Sequence, residues 1–185
     1  MIRLIGPGGA GKSTIGGLLA EGLDVPFVDL DRHFAGRVGD ISAYIDRQGY
    51  DAYARENVEA YLSVFREGTR PGVVALSSGF MTYPGDAHPE YGRLRRELEE
   101  CAQTLVLLPS LNRECCVAET VRRQVARRFG RSPEREEAVI RARFEIYVAL
   151  PARKVETMRP AAAIIDEILA LLSPTNHGHS EPRTS

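Results

Sequence analysis

The stretch GPGGAGKSTIG, residues 6–16, follows a short apolar run, IRLI, at residues 2–5. Gly6, Gly11, Lys12 and Ser13 satisfy the spacing G-x-x-x-x-G-K-[ST]. Such glycines let backbone N–H groups curl around a phosphate, and a helix starting at the end of the loop adds its N-terminal amides and dipole. In a loop of this kind the lysine reaches the β- and γ-phosphates of a nucleotide, and the Ser13 hydroxyl ligates Mg²⁺. The nucleotide-binding residues expected from it are Gly8, Gly9, Ala10 and Gly11, followed by Lys12, Ser13 and Thr14. Of the 24 basic residues, all but Lys12 and Lys154 are arginines, so a lysine at this place is not a by-product of a lysine-rich chain.

A second stretch, FVDLDRHF at 27–34, reads as an apolar strand ending in two aspartates, Asp29 and Asp31. Side chains repeat their direction every second residue along a strand, so the pair is expected to project from one face at its C-terminal end. Two like charges held that close need a positive partner, which Mg²⁺ and Lys12 would supply. One carboxylate holding Mg²⁺ through its waters, with the other accepting the proton of an acceptor hydroxyl, matches phosphoryl transfer, in which an enzyme mainly positions groups and neutralises charge. The plainer alternative has Asp31 capping a helix and Asp29 in a turn.

The elements that must hold these residues alternate. Strands are expected at 2–5, 25–29, 73–77, 103–108 and 154–157, with helices at 12–22, 51–66, 90–101, 112–129, 133–148 and 160–172. Strand–helix alternation of this kind belongs to βαβ units around a parallel sheet, where ligands bind at the C-terminal edge of the strands. Ile164, Ile165, Ile168, Leu169 and Leu172 share one helical face, Pro160 suits the first turn, and Ser132-Pro133-Glu134 reads as a helix start.

The 185 residues suit a single domain, large enough to bury about 70% of the unfolded surface. A formal net charge of −1 provides no basic field for nucleic acid. The three cysteines, Cys101, Cys115 and Cys116, form no disulfide framework and point to a reducing compartment, with the adjacent pair packed inside a helix. Neither a secretory leader nor a membrane span is expected, so the expected location is the cytoplasm. The stretch after 172, with His177 and His179, is polar and aperiodic and reads as a disordered tail rather than a metal site.

Over residues 1–172 the chain resembles the shikimate kinases, small P-loop kinases of the nucleoside-monophosphate-kinase-like branch. The resemblance rests on GPGGAGKSTIG, the strand ending in FVDLD, and the pattern GY..YA..N from Gly49. It implies a three-layer α/β P-loop kinase fold with a five-stranded parallel sheet flanked by helices and a helical lid at about 112–135. It also implies ATP and Mg²⁺ as cofactors and a small hydroxylated acceptor, with the chain a monomer or weak dimer. Carried over by position, Asp29 acts near Mg²⁺ beside Ser13, and Asp31 bonds the acceptor hydroxyls as the base. Arg143, in RARFEIY, matches the arginine of the family's R-x-P-L-Y, which binds the substrate carboxylate, with Tyr147 within one residue of the motif's tyrosine. In VRRQVARRFGR, Arg122 or Arg123 fits the adenine contact, and Arg127, Arg128 or Arg131 the mobile lid. Arg159, in VETMRP, lines the base pocket.

Two places depart from that pattern. The family's G-E-x-x-F-R helix motif has Gly49, Tyr53 and Ala54 at its Gly, Phe and Arg places, and Arg55, a candidate substrate contact, stands one residue on, roughly 100° around a helix. The family's three-glycine turn is replaced by Ser77-Ser78-Gly79, whose two hydroxymethyl groups are expected to fill space beside the acceptor, with Ser78 and Gly79 in contact with it. The following loop, with Tyr83, His88 and Tyr91, reads as a polar connection. The alternatives are a nucleoside or other metabolite kinase of the same fold and a nucleotide-binding regulatory module without phosphotransfer.

Overall fold

The computed structural model describes residues 1–66, 68, 70–125 and 133–173. Its strands are β1 (Ile2–Ile5), β2 (Phe27–Asp29), β3 (Val73–Ala75), β4 (Thr104–Leu108) and β5 (Arg153–Glu156). The helices are α1 (Lys12–Gly22), α2 (Leu30–Val38), α3 (Ile41–Gln48), α4 (Tyr50–Arg66), α5 (Tyr91–Glu100), α6 (Arg113–Val125), α7 (Pro133–Ala149) and α8 (Ala161–Leu172), with a 3-10 turn at Phe80–Thr82. The strands pair in parallel in the order β2-β3-β1-β4-β5. β1 therefore lies in the middle, and the loop that leaves it enters the crevice at the C-terminal edge where the strand order changes direction.

Two apolar layers follow from the alternation along the strands. Leu4, Leu105 and Leu107 pack on one face with Ile15 and Leu19 of α1 and Ile164 and Ile168 of α8. Ile5, Val106 and Leu108 turn to the other, against Leu30 and Phe34 of α2, Val58 of α4, Leu94 of α5 and Phe144 of α7. Burial on both faces is why β4, TLVLL, is apolar without alternation from Leu105 to Leu108. Gly6, at φ +145, leads out of β1 where a side chain would collide with the Leu107 carbonyl. A Cβ on Gly16 would come within 2.6 Å of the Phe27 ring, so this glycine lets α1 lie close to β2.

Three differences from the sequence reading have physical causes. First, α2 and α3 are additional. Each starts on an aspartate cap: Asp29 accepts from the backbone N–H of Asp31 (3.0 Å) and Arg32 (3.3 Å), and Asp40 from that of Ala43 (2.8 Å). Each ends before a glycine of positive φ, Gly39 or Gly49. At nine and eight residues they are too short to stand alone, and α3 has no fully buried residue to produce an apolar stripe. Second, the loop after β3 belongs to the core: Phe80, Met81, Tyr83 and Tyr91 are buried, and the Tyr91 hydroxyl donates to the Phe80 carbonyl (2.7 Å). Third, the adjacent cysteines divide, Cys116 buried and Cys115 exposed. Element ends also move slightly: β2 starts at Phe27, after Pro26, β3 stops at Ala75, and Pro160 occupies the cap of α8 rather than its first turn. The tail beyond Ser173, with His177 and His179, and Ser132 lie outside the described residues. Among those described, no helix is long and apolar enough to cross a membrane.

Candidate functional site

The loop between β1 and α1 floors a cleft of about 230 Å³, bordered by Gly8 to Ser13, Asp29, Asp31, Tyr50, Tyr53, Ser78, Gly79 and Arg143. That volume lies below the roughly 300–1,000 Å³ of drug-sized ligand pockets and suits one small ring. Lys12 is buried, its Nζ donating to the carbonyls of Gly6 (2.7 Å) and Pro7 (2.9 Å). The ammonium is thus carried on the loop itself, beside Ser13 at the first turn of α1.

Asp29 and Asp31 both border this cleft, but not as two residues of one strand face. β2 ends at Asp29, whose side chain caps α2, and Asp31 is the second residue of that helix. The expectation of a shared strand face fails because the chain turns into a helix at Leu30; the plainer alternative is right that a cap is present but puts it on Asp31, whereas Asp29 is the cap and Asp31 lies within the helix. Burial raises the Asp31 pKa from its ordinary value. The Ser77 hydroxyl, through a hydrogen bond, and the positive charges of Lys12 and Arg143 pull the other way, while Asp29 adds to the rise.

Arg143 enters from α7. Its guanidinium donates to Ser78 Oγ (3.3 Å) and to the Tyr50 hydroxyl (3.2 Å), while Tyr147, one turn further along, donates to the Ser78 carbonyl (2.9 Å). The turn after β3 therefore receives two side chains from one face of α7. Of its two serines only Ser78 borders the cleft. Ser77 is fully buried and accepts from Asn57 Nδ2 (2.9 Å), so the expectation that both hydroxymethyl groups crowd the acceptor is corrected. Arg55 is exposed and lies off the cleft, because the helical step from Ala54 turns it to solvent; Ala54 itself is packed in the core.

A second cleft lies on the other flank of the loop, lined by Gly9, Gly11, Thr14, Arg123, Thr157 and Arg159, with Ile15, Ala161 and Ile164 behind. Arg123 donates to the Gly9 carbonyl (3.0 Å) and the Thr157 carbonyl (3.3 Å), and the Thr157 hydroxyl donates to the Ala10 carbonyl (2.9 Å). Arg122 instead points to solvent. Both guanidiniums bond Glu119, and these bonds, Arg122's first, pull its carboxyl down to about 2. Between the two, Arg123 is the one at the loop. Arg159 bonds the Glu156 carbonyl (3.1 Å) and Glu167. Arg127, Arg128 and Arg131, the lid candidates, lie outside the described residues.

Several residues at the cleft were not singled out from sequence: Tyr50, Tyr53, Gln124 and, from α3, Ile41, Ser42 and Ile45. The α3 residues were invisible because that helix was. Tyr53 was read only as the occupant of a motif position, and nothing about Tyr50 or Gln124 by type points to a ligand.

A parallel sheet in the order β2-β3-β1-β4-β5 whose first strand runs into a lysine-bearing glycine loop is the architecture of the P-loop kinases. Comparison with known proteins narrows the class. The family model for shikimate kinase matches residues 8–173, and the chain belongs to that family. Curated relatives include the shikimate kinases of Paracidovorax citrulli (37% identical over 86 residues, 46% of this chain and 47% of the relative) and Pasteurella multocida (42% over 79 residues, 42% and 43%). The chain thus spans about half the length of the curated relatives it matches. Among solved structures, the shikimate kinase from Acinetobacter baumannii in complex with shikimate is 25% identical, with a TM-score of 0.68 over 92% of this chain and 90% of that one. The Aquifex aeolicus enzyme shares the fold at 20% identity, with a TM-score of 0.65 over 92% of this chain and 95% of that one.

Proposed function

We propose that the protein transfers the γ-phosphoryl group of Mg·ATP to a hydroxyl of a small alicyclic hydroxy acid, with shikimate the first acceptor to test. The observation that carries this reading is that one small cleft is bounded by the Lys12 loop, the Asp31 carboxylate and the Arg143 guanidinium. These are respectively a phosphate clamp, a proton acceptor and a carboxylate ligand.

In this reading ATP lies across the loop with its base on the Arg123, Thr157 and Arg159 flank and its γ-phosphate toward the cleft. The backbone amides of Gly8 to Ser13 receive the phosphates, with Thr14 on the base side, and Lys12 exchanges its carbonyl contacts for phosphate oxygens. The donors present suit Mg²⁺: among the described residues no cluster of three or more His, Cys, Asp or Glu could hold a metal alone, whereas Ser13 and Asp29 flank the phosphate position. A hard ion that keeps most of its waters and takes phosphate oxygens needs no more than that. Bound there, it neutralises phosphate charge. Asp31 accepts the proton of the acceptor hydroxyl as the new O–P bond forms and the bond from phosphorus to the β–γ bridging oxygen breaks, the electron pair leaving on ADP. Burial favours this role by raising the affinity of Asp31 for a proton. Arg127 and Arg128 are proposed from the sequence as lid arginines that stabilise charge on the transferring group.

Arg143 now bonds two neutral oxygens at 3.2–3.3 Å, and an acceptor carboxylate would replace them with charge-assisted, forked bonds. Among the described residues the cleft carries a single guanidinium, so Arg143 holds the acceptor without the second arginine that Ala54 displaces. Arg143→Ala should raise the shikimate KM about thirtyfold while kcat changes far less; an unchanged KM would return Arg143 to a structural role. On the other flank, Arg123→Ala should raise the ATP KM about tenfold with the acceptor KM unaltered, and an unaltered ATP KM would move the base elsewhere.

A further inference from the structure

We propose that Tyr50 is a specificity-determining residue for the acceptor: its hydroxyl and the Arg143 guanidinium form one carboxylate-binding pair, and the phenol donates to the same carboxylate that the guanidinium holds. The proposal rests on the phosphotransfer reading and narrows it to acceptors that carry a single carboxylate.

Tyr50 is the first residue of α4, directly after Gly49, whose φ of +84 follows the end of α3. From that junction its side chain borders the cleft. The ring is held against those of Tyr53 (centroids 5.7 Å apart) and Tyr83 (6.0 Å). Its hydroxyl reaches the turn after β3, where a Cβ on Gly79 would come within 2.6 Å of it and within 3.2 Å of Arg143 Nη2. The bare backbone at Gly79 therefore lets α4 and α7 each bring a polar group to one point.

The direction of the bonds there is fixed by chemistry. A guanidinium only donates, so the Tyr50 hydroxyl accepts from Nη2 (3.2 Å) and Ser78 Oγ accepts from Nη1 (3.3 Å). A hydroxyl that accepts keeps its own proton to donate. When a carboxylate takes the guanidinium, both hydroxyls stand beside it with those protons available. The carboxylate oxygens can accept more bonds than the two that one guanidinium fork supplies, so these added donors are useful to it. Ala54 lies one turn after Tyr50 on the same face of α4, and its methyl group offers no donor. The donor that α4 presents to the acceptor is thus a neutral phenol.

That neutrality sets the charge the cleft accepts. Among the described residues its charged groups are Arg143, Lys12 at the phosphate loop, and the carboxylates Asp29 and Asp31. One negative charge on the acceptor is matched by Arg143. A phosphate ester would bring about −1.5 to −2 charges toward the aspartates and meet no second cation on the acceptor side. The pair therefore favours a cyclic monocarboxylate over a phosphorylated acceptor such as a nucleotide.

The test uses Tyr50→Phe in the full chain, which keeps the ring and its packing and removes the hydroxyl alone; thermal melting establishes that it is folded. Its Kd for shikimate by isothermal titration and its shikimate KM should both rise about tenfold, the size of one lost bond to a charged group, while kcat and the ATP KM change far less. With the cyclohexene triol that lacks the carboxyl group, kcat/KM of parent and variant should agree within about twofold, because the lost hydroxyl then has no carboxylate to bond. A shikimate Kd and KM that stay at the parent values would overturn the proposal, and so would an equal loss with the triol. Either result would leave Tyr50 as cleft wall and the phosphotransfer reading intact. A parent that binds shikimate more tightly than Tyr50→Phe yet phosphorylates neither shikimate nor a related hydroxy acid would uphold the pair and remove the proposed function instead.

Discussion

Asp31→Asn should lower kcat by about a thousandfold, within the range that a positioned acid or base contributes, while ATP affinity stays close to that of the parent. Asn keeps the size of the side chain but cannot take the acceptor's proton. The fold should tolerate it. A carboxyl whose pKa is raised in the folded state stabilises the fold while protonated, and that contribution is lost as pH rises through the folded value. Near neutral pH the ionised Asp31 is therefore a cost, and the neutral amide should leave the melting temperature unchanged or higher. Isothermal titration with a non-hydrolysable ATP analogue separates the roles. Equal loss of turnover and nucleotide binding would move Asp31 to the metal, and unaffected turnover would dismiss it as the base.

Lys12→Ala should be as damaging through a different step. It removes the ammonium that reaches the transferring phosphates, and loss of one such preorganised donor commonly costs about 10²–10³ in kcat; the ATP KM should rise as well. The Gly6 and Pro7 carbonyls, which now receive Nζ, would lose their partner at a cost of about 1–3 kcal/mol, with water able to enter from the cleft. Circular dichroism should show a folded protein. An active Lys12→Ala enzyme would show that the loop does not bind the reacting phosphates.

Where chemistry depends on backbone spacing, the chain was readable without its structure. The loop from Gly6 to Ser13, the strands on either side of it and the helix with Ile164 and Ile168 on one face all follow from local pattern. What depends on direction was not. Whether Asp31 sits on a strand or a helix turns on a cap at Asp29, and the two bordering helices are too short to carry a periodic signal. Ser77 and Ser78 are adjacent and chemically identical, yet one points to Asn57 and the other to Arg143. Arg122 and Arg123 likewise differ only by the turn of α6 that brings one of them to Gly9. Asn57 drew attention only as a position in a motif, since an amide's role is set by partners 20 and 26 residues away in the chain.

The most direct test of the central claim is ADP release from Mg·ATP by the purified protein, with and without shikimate, using Lys12→Ala as the blank. The account predicts a shikimate-dependent rate absent from the mutant, with one phosphorylated acceptor formed for each ADP. ATP binding without any response to shikimate or related hydroxy acids would contradict it, and would mean that the cleft between Asp31 and Arg143 receives a different acceptor.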